Sequence, residues 1–244
     1  MRQPDSLTED GVKQFRQQGY WQGRLFVDLI DSHATVAPDK IAIIEASTQT
    51  RLSYQQLRDQ TNNLAANLVR LGIGKSDVVS IQAPNWPELV ICHLALNRIG
   101  AVFLPIHHGF READIKHLLE HTSAKAFIYP GTYKGLDYRV TLENIKDQLP
   151  DLQKKVVMRG NPLEGELSFE GLTSDSSWVE QFGDDFLEEH RPDSAESRHI
   201  MVSSGTTSKP KCAVYCDDAT IFKIVQQYGK FACHLTSDDI AAAI

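Results

Sequence analysis

Residues 203–211 read S-S-G-T-T-S-K-P-K. Ser203, Ser204, Thr206, Thr207 and Ser208 carry hydroxyls, and Lys209 and Lys211 bring positive charge. Gly205 permits backbone conformations closed to other residues, so amide groups there can converge on one point. Converging amides, hydroxyls and ammonium groups are the donors a polyphosphate needs. Ile200, Met201 and Val202 precede the run, and Ala213 and Val214 follow it. The pattern predicts a strand that ends, a hydroxyl-rich loop and a second strand. A Ser- and Thr-rich surface loop with no ligand is the plainer reading of the same residues.

Two common phosphate motifs do not fit. The Walker A loop, G-x-x-x-x-G-K-[ST], needs a second glycine beside its lysine. Counting from Gly205, Pro210 stands at that place, and Cys212 follows Lys211. A dinucleotide fingerprint after the first long strand is also missing, because Pro84, Asn85, Trp86 and Pro87 form that turn. His107 and His108 follow Pro105 at an expected strand end, where α/β proteins often place ligand groups, but surface or loop-packing histidines are the favoured account over a paired catalytic or metal role. Cys212, Cys216, Cys233 and His234 lack the paired knuckles of structural zinc sites, so no metal site is assigned within the chain. With Cys92 they are expected as free thiols rather than a disulfide framework.

The elements that must position the loop follow from periodicity. Leu25, Phe26, Leu29 and Ile30 make a helical stripe that breaks at Pro38, and 41–44 is a short apolar strand. Ser53 with Gln56 is a capping-box pattern that opens a helix carrying Leu57, Leu64, Leu68 and Leu71, with Gly72 as its stop. Strands are expected at 78–83, 101–105 and 126–129, alternating with helices at 86–99 and 111–122. A helix at 141–149 and a strand at 156–158 extend the series. This order predicts an α/β fold, a mostly parallel sheet flanked by helices on both faces.

Domain organisation is read as an N-terminal arm (1–24), an α/β subdomain (25–163), an acidic linker (164–197) and the start of a second α/β subdomain bearing the loop (198–244). In the arm, Tyr20 and Trp21 are expected to dock on the main body. In 164–196, Glu164, Glu166, Glu170, Asp175, Glu180, Asp184, Asp185, Glu188, Glu189, Asp193 and Glu196 accumulate against the single cation Arg191. That composition reads as a solvated linker with a short helix at 178–182. The net charge of −7 argues against a nucleic-acid binder with a broad basic surface. No apolar run approaches the roughly 18 residues of a membrane helix. The start, M-R-Q-P-D-S-L-T-E-D, lacks the apolar segment of a secretory signal, so a cytoplasmic protein is expected.

The loop closely resembles the phosphate signature T-S-G-T-T-G-x-P-K-G of the adenylate-forming enzyme superfamily, which includes acyl-CoA synthetases and aryl-AMP ligases. Ser204, Gly205, Thr206, Thr207, Pro210 and Lys211 are kept. Ser203, Ser208 and Cys212 depart from the usual threonine and glycines. Leu52, Ser53, Tyr54 and Leu57 resemble that family's T-Y-x-E-L, and 71–79 resembles L-G-V-x-x-G-D-V-V. Pro84, Asn85 and Glu88 match P-N-x-x-E, and Gly100, Ala101, Val102 and Pro105 match G-A-V-x-x-P. The G-Y-W-Q-G arm is similar to the dihydroxybenzoate-AMP ligase and medium-chain acyl-CoA ligase branch.

The resemblance implies ATP-dependent activation of a carboxylic acid as an acyl-adenylate, with transfer to coenzyme A or another thiol. ATP, Mg²⁺ and coenzyme A are the implied cofactors, and a small carboxylic acid is the implied partner. Residues Ser203 to Lys211, Lys209 included, would cradle the β- and γ-phosphates. The family's adenine, carboxylate and magnesium sites follow this loop, so the catalytic residues are expected beyond Ile244, the last residue of the sequence. The chain is accordingly expected to be an N-terminal fragment, inactive alone. A non-catalytic short form that keeps the fold for binding or assembly is the alternative.

Overall fold

In the computed structural model, residues 8–196, 198–203, 209–236 and 238–242 are described. The chain runs α1 (Glu9–Gln17), α2 (Phe26–Val36), β1 (Ile41–Ile44), β2 (Arg51–Ser53), α3 (Tyr54–Arg70), β3 (Val78–Gln82) and α4 (Pro87–Arg98). It continues through β4 (Val102–Ile106), α5 (Glu112–His121), β5 (Ala126–Pro130), the hairpin of β6 (Thr132–Tyr133) and β7 (Leu136–Asp137), and α6 (Tyr138–Ile145). Then come β8 (Lys154–Met158), β9 (Leu167–Ser168), α7 (Phe169–Ser174), α8 (Ser177–Phe182), β10 (Arg198–Ser203), β11 (Lys211–Cys216) and α9 (Asp217–Ile221). A π-helical run, Phe222–Ala232, prolongs α9.

The main sheet has the order β11-β10-β4-β3-β5-β8-β9. Every neighbouring pair is parallel except β10 and β11. Every residue of β3 and of β5 is buried, as expected of parallel strands covered on both faces. One face packs Ile81, Ile128 and Val156 against Leu57, Leu64 and Leu68 of α3 and Ile91 and Ala95 of α4. The other packs Leu104, Phe127, Tyr129 and Ile200 against Ile115 and Leu118 of α5 and Tyr138 of α6. Truncating one of the α3 leucines to alanine is worth about 2–5 kcal/mol.

Local signals account for the element ends. The Ser53 hydroxyl accepts from the Gln56 amide at 3.2 Å, and the Gln56 side chain accepts from the Ser53 amide at 2.9 Å, completing the capping box. Gly72 has φ +83°, the left-handed turn that stops α3 and feeds β3.

Two expectations are corrected. Residues 164–196 are not a solvated linker: β9 joins the sheet edge, and Phe169, Trp178 and Leu187 are buried in the core on the α3 side. The Asn67 side chain donates to the carbonyls of Leu172 and Asp175, both at 2.9 Å, and Trp178 Nε1 donates to Asn63 Oδ1. The acidic composition misleads because the cations that meet it lie elsewhere in the chain. Arg139 pairs with Glu166, Arg70 with Asp175 and Lys75 with Glu196. Nor does hydrogen bonding divide at residue 198, since β10 pairs with β4 through His199 and Phe103 and so extends the same sheet. Within the arm, α1 forms from a polar stretch and buries no residue of its own. Of the two aromatics expected to dock, Trp21 is buried, while Tyr20 stays exposed with its ring 5.2 Å from that of Phe222.

Candidate functional site

The strand, loop and strand expected around residues 203–211 form an antiparallel hairpin. Its register runs from Arg198↔Cys216 to Ser203↔Lys211. Alternation places Ile200, Val202, Cys212 and Val214 toward the α5 side of the core. Ser203, Lys209 and Lys211 are exposed at the loop end of the hairpin. Ser204, Gly205, Thr206, Thr207 and Ser208 lie outside the described residues. Among the described residues neither Lys209 nor Lys211 has an ion-pair partner. Two ammonium groups without carboxylates at the mouth of a hydroxyl-rich loop fit a polyanion. Ile244, past which the catalytic residues are expected, also lies outside the described residues, and no catalytic residue is assigned among those described.

Because β10 is parallel to β4, Ser203 points out of the same edge of the sheet as the ends of β3, β4, β5 and β8. This is the edge at which open α/β sheets receive ligands. At the end of β3, the buried Gln82 donates from Nε2 to the His107 carbonyl at 3.0 Å and the Phe110 carbonyl at 3.2 Å, holding the β4–α5 loop. The His107 and His108 rings lie 4.3 Å apart, and His107 Nδ1 accepts from the Gly109 amide. Partial burial, with the charges of His107, Lys134 and Arg111, holds the His108 imidazole below its ordinary pKa and favours its neutral form. Among the described residues no group of three His, Cys, Asp or Glu side chains comes together to hold a metal ion.

Sequence reading matched Glu88 to a family motif but assigned it no contact. Arg159, at the end of β8, stacks 3.9 Å from the Trp86 ring and clamps both Glu45 and Glu88. These hydrogen bonds hold the Glu45 carboxyl below the usual carboxylate range. The clamp joins residues from three distant stretches, so only the P-N-x-x-E pattern containing Glu88 hinted at it.

Cys212, which stands where the family usually has glycine, lies within β11 opposite Val202 and packs half-buried. A strand position of this kind takes a side chain without strain. All four cysteines are free, with Cys92 and Cys216 buried and Cys233 exposed.

The model of the AMP-binding enzyme family matches residues 30–243. The chain belongs to this family. It is 37% identical over 164 residues to the 2,3-dihydroxybenzoate-AMP ligase of Bacillus subtilis, covering 66% of this chain and 29% of that protein. It is 29% identical over 211 residues to the medium-chain fatty-acid–CoA ligase of Escherichia coli, covering 84% of this chain and 35% of that protein. The apo structure of MbtA from Mycobacterium smegmatis superposes with a TM-score of 0.79 at 28% identity, covering 96% of this chain and 42% of that one. The chain thus spans well under half the length of these AMP-binding relatives. No helix among the described residues is long and apolar enough to cross a membrane.

Proposed function

We propose that residues 203–211 hold the β- and γ-phosphates of ATP in an enzyme that activates a carboxylic acid as its acyl-adenylate. The observation that carries this reading is the hairpin. It sets Ser203 and Lys211 side by side at the ligand-binding edge of the sheet, with Lys209 and Lys211 exposed and free of carboxylate partners among the described residues. Family membership and the named ligase relatives support the reaction class.

In that reaction a carboxylate oxygen attacks the α-phosphorus, the bond from that phosphorus to the bridging oxygen breaks, and pyrophosphate leaves with the electron pair. Lys209 and Lys211 stabilise the charge that gathers on pyrophosphate, and the hydroxyls of Thr206 and Thr207 donate to its oxygens. Transfer follows when a thiolate attacks the acyl carbonyl and AMP departs. Coenzyme A is the proposed acceptor by analogy with the medium-chain ligase, and a carrier-bound thiol is the other acceptor of this chemistry.

A non-catalytic short form would draw on Ser203, Ser208 and Cys212 as departures from the family signature. Cys212 lies inside β11 opposite Val202, a strand position that takes a side chain without strain, so it lends that reading little support. By this account the chain supplies the phosphate-holding part of the site and gives no turnover by itself.

Titrating the chain with tripolyphosphate, ATP and AMP tests the assignment. Tripolyphosphate and ATP should bind, with AMP about ten-fold weaker or more because it lacks the two phosphates that the loop would hold. Equal affinity for AMP and ATP would overturn it.

A further inference from the structure

Asp217 and Asp218 close β11 at the end opposite the loop, and both are buried, with 0% and 3% of their surface exposed. Buried carboxylates persist only where hydrogen bonds answer them. Asp218 accepts from the Arg16 guanidinium at 2.9 Å, from the Ser194 hydroxyl at 2.8 Å and from the Gly23 amide at 3.0 Å. Asp217 accepts from the Phe26 amide at 2.8 Å and the Asn97 side chain at 2.7 Å. Arg16 also grips Asp193, at 2.7 Å, just before β10 begins. One pair of carboxylates thus joins the arm, α2 and α4 to the base of the hairpin.

An apolar seat lies beside it. Trp21 packs with Ala195, Cys216, Val12, Ala219 and Phe222, and Phe15 stacks on Trp21 at 4.9 Å. Among the described residues β10 is registered on β4 at His199↔Phe103, whereas β3 and β4 are registered from Val78↔Val102 to Gln82↔Ile106. Pro105, further along β4, offers no amide hydrogen to either neighbour.

We infer that Asp217, Asp218 and Arg16 form a latch through which the N-terminal arm sets the orientation of the β10–β11 hairpin, making Arg16 a positioning residue for the phosphate loop. The positioning role rests on the loop reading given above; the latch itself does not. It acts on the phosphate through the hairpin, and no latch residue touches the ligand.

The test compares the native chain with Arg16→Ala, Arg16→Lys and Lys211→Ala, by amide hydrogen exchange and by affinity for tripolyphosphate. In Arg16→Ala, exchange in β10 and β11 should rise about ten-fold while β3 and β5 stay protected. Its tripolyphosphate affinity should fall about five-fold or more, the lower end of ordinary coupling between sites, with part of the loss recovered in Arg16→Lys. Unchanged exchange in β10 and β11, or a uniform rise that includes β3 and β5, would overturn the latch. Faster hairpin exchange with native affinity in Arg16→Ala, while Lys211→Ala loses affinity, would overturn the positioning role alone. Native affinity in Lys211→Ala, or no tripolyphosphate binding by the native chain, would overturn the loop reading, and the exchange pattern would then decide the latch.

Discussion

Ser203 and Lys211 stand opposite each other, the last residue of β10 against the first of β11. Sheet hydrogen bonding therefore brings together the two ends of a loop that carries donors and little apolar surface. Joining the two ends of a segment in a sheet in general lowers the entropic cost of ordering it on a ligand.

The glycine that the family usually places at position 212 should not improve this chain. Cys212→Gly removes a half-buried side chain from β11 and adds backbone freedom to the unfolded state, a loss of about 1 kcal/mol in urea unfolding. Tripolyphosphate affinity should stay within about two-fold of native, since the position lies in the strand and not in the loop. A stability gain, or a large gain in affinity, would contradict the placement of Cys212.

Acid should weaken the fold in two stages. His93 of α4 and His199 of β10 pack against Phe26, with Phe103 and Tyr215 alongside, the Thr220 hydroxyl bonded to His199 Nε2 and Asp217 facing Nδ1. Burial pushes each imidazole down to about 4, from an ordinary value of 6.5. Their folded-state pKa is depressed, so the unfolded chain binds protons first. The stability they contribute is whole above pH 6.5 and is lost as pH falls toward 4. Carboxylates held low by arginines, such as Glu45 and Asp193, act below that window. Urea midpoints measured from pH 7.5 to 4 should fall, and His199→Gln should flatten part of the slope. A flat native profile above pH 4 would contradict the buried neutral pair.

Arg159→Ala should cost about 2 kcal/mol or more, somewhat below the cost of breaking a fully buried ion pair because Arg159 keeps contact with water. The variant leaves Glu45, 7% exposed, without its guanidinium partner and uncovers the Trp86 ring. Lysine should restore little, since one ammonium cannot fork to two carboxylates and stack on an indole at once. Thermal or urea unfolding of both variants checks this, and full rescue by lysine would contradict the clamp.

Much of the fold was legible because its signals are local. Ser53 and Gln56 announce α3 by a capping box, Gly72 ends it, the run at 126–130 is apolar throughout, and 78–82 is broken only by Ser80 and Gln82, as suits strands buried on two faces. Residues 164–196 misled because charge was counted along the chain, while Arg70, Arg139 and Lys75 meet those carboxylates across space. The loop itself could be read from residue types, since donors for phosphate are a matter of composition. Its supports could not. Nothing near Asp217 and Asp218 in sequence says that they are buried, because the groups that bury them belong to Arg16, Gly23, Phe26 and Asn97.

Phosphate recognition by residues 203–211 is tested most directly by Lys211→Ala beside Lys13→Ala, an exposed lysine on α1 that changes net charge equally. Affinities for ATP and tripolyphosphate would be measured calorimetrically at fixed ionic strength. The account predicts that Lys211→Ala weakens both by about ten-fold or more, the worth of one charge-assisted contact, with Lys13→Ala within about two-fold of native. Equal, small effects from the two substitutions would contradict it.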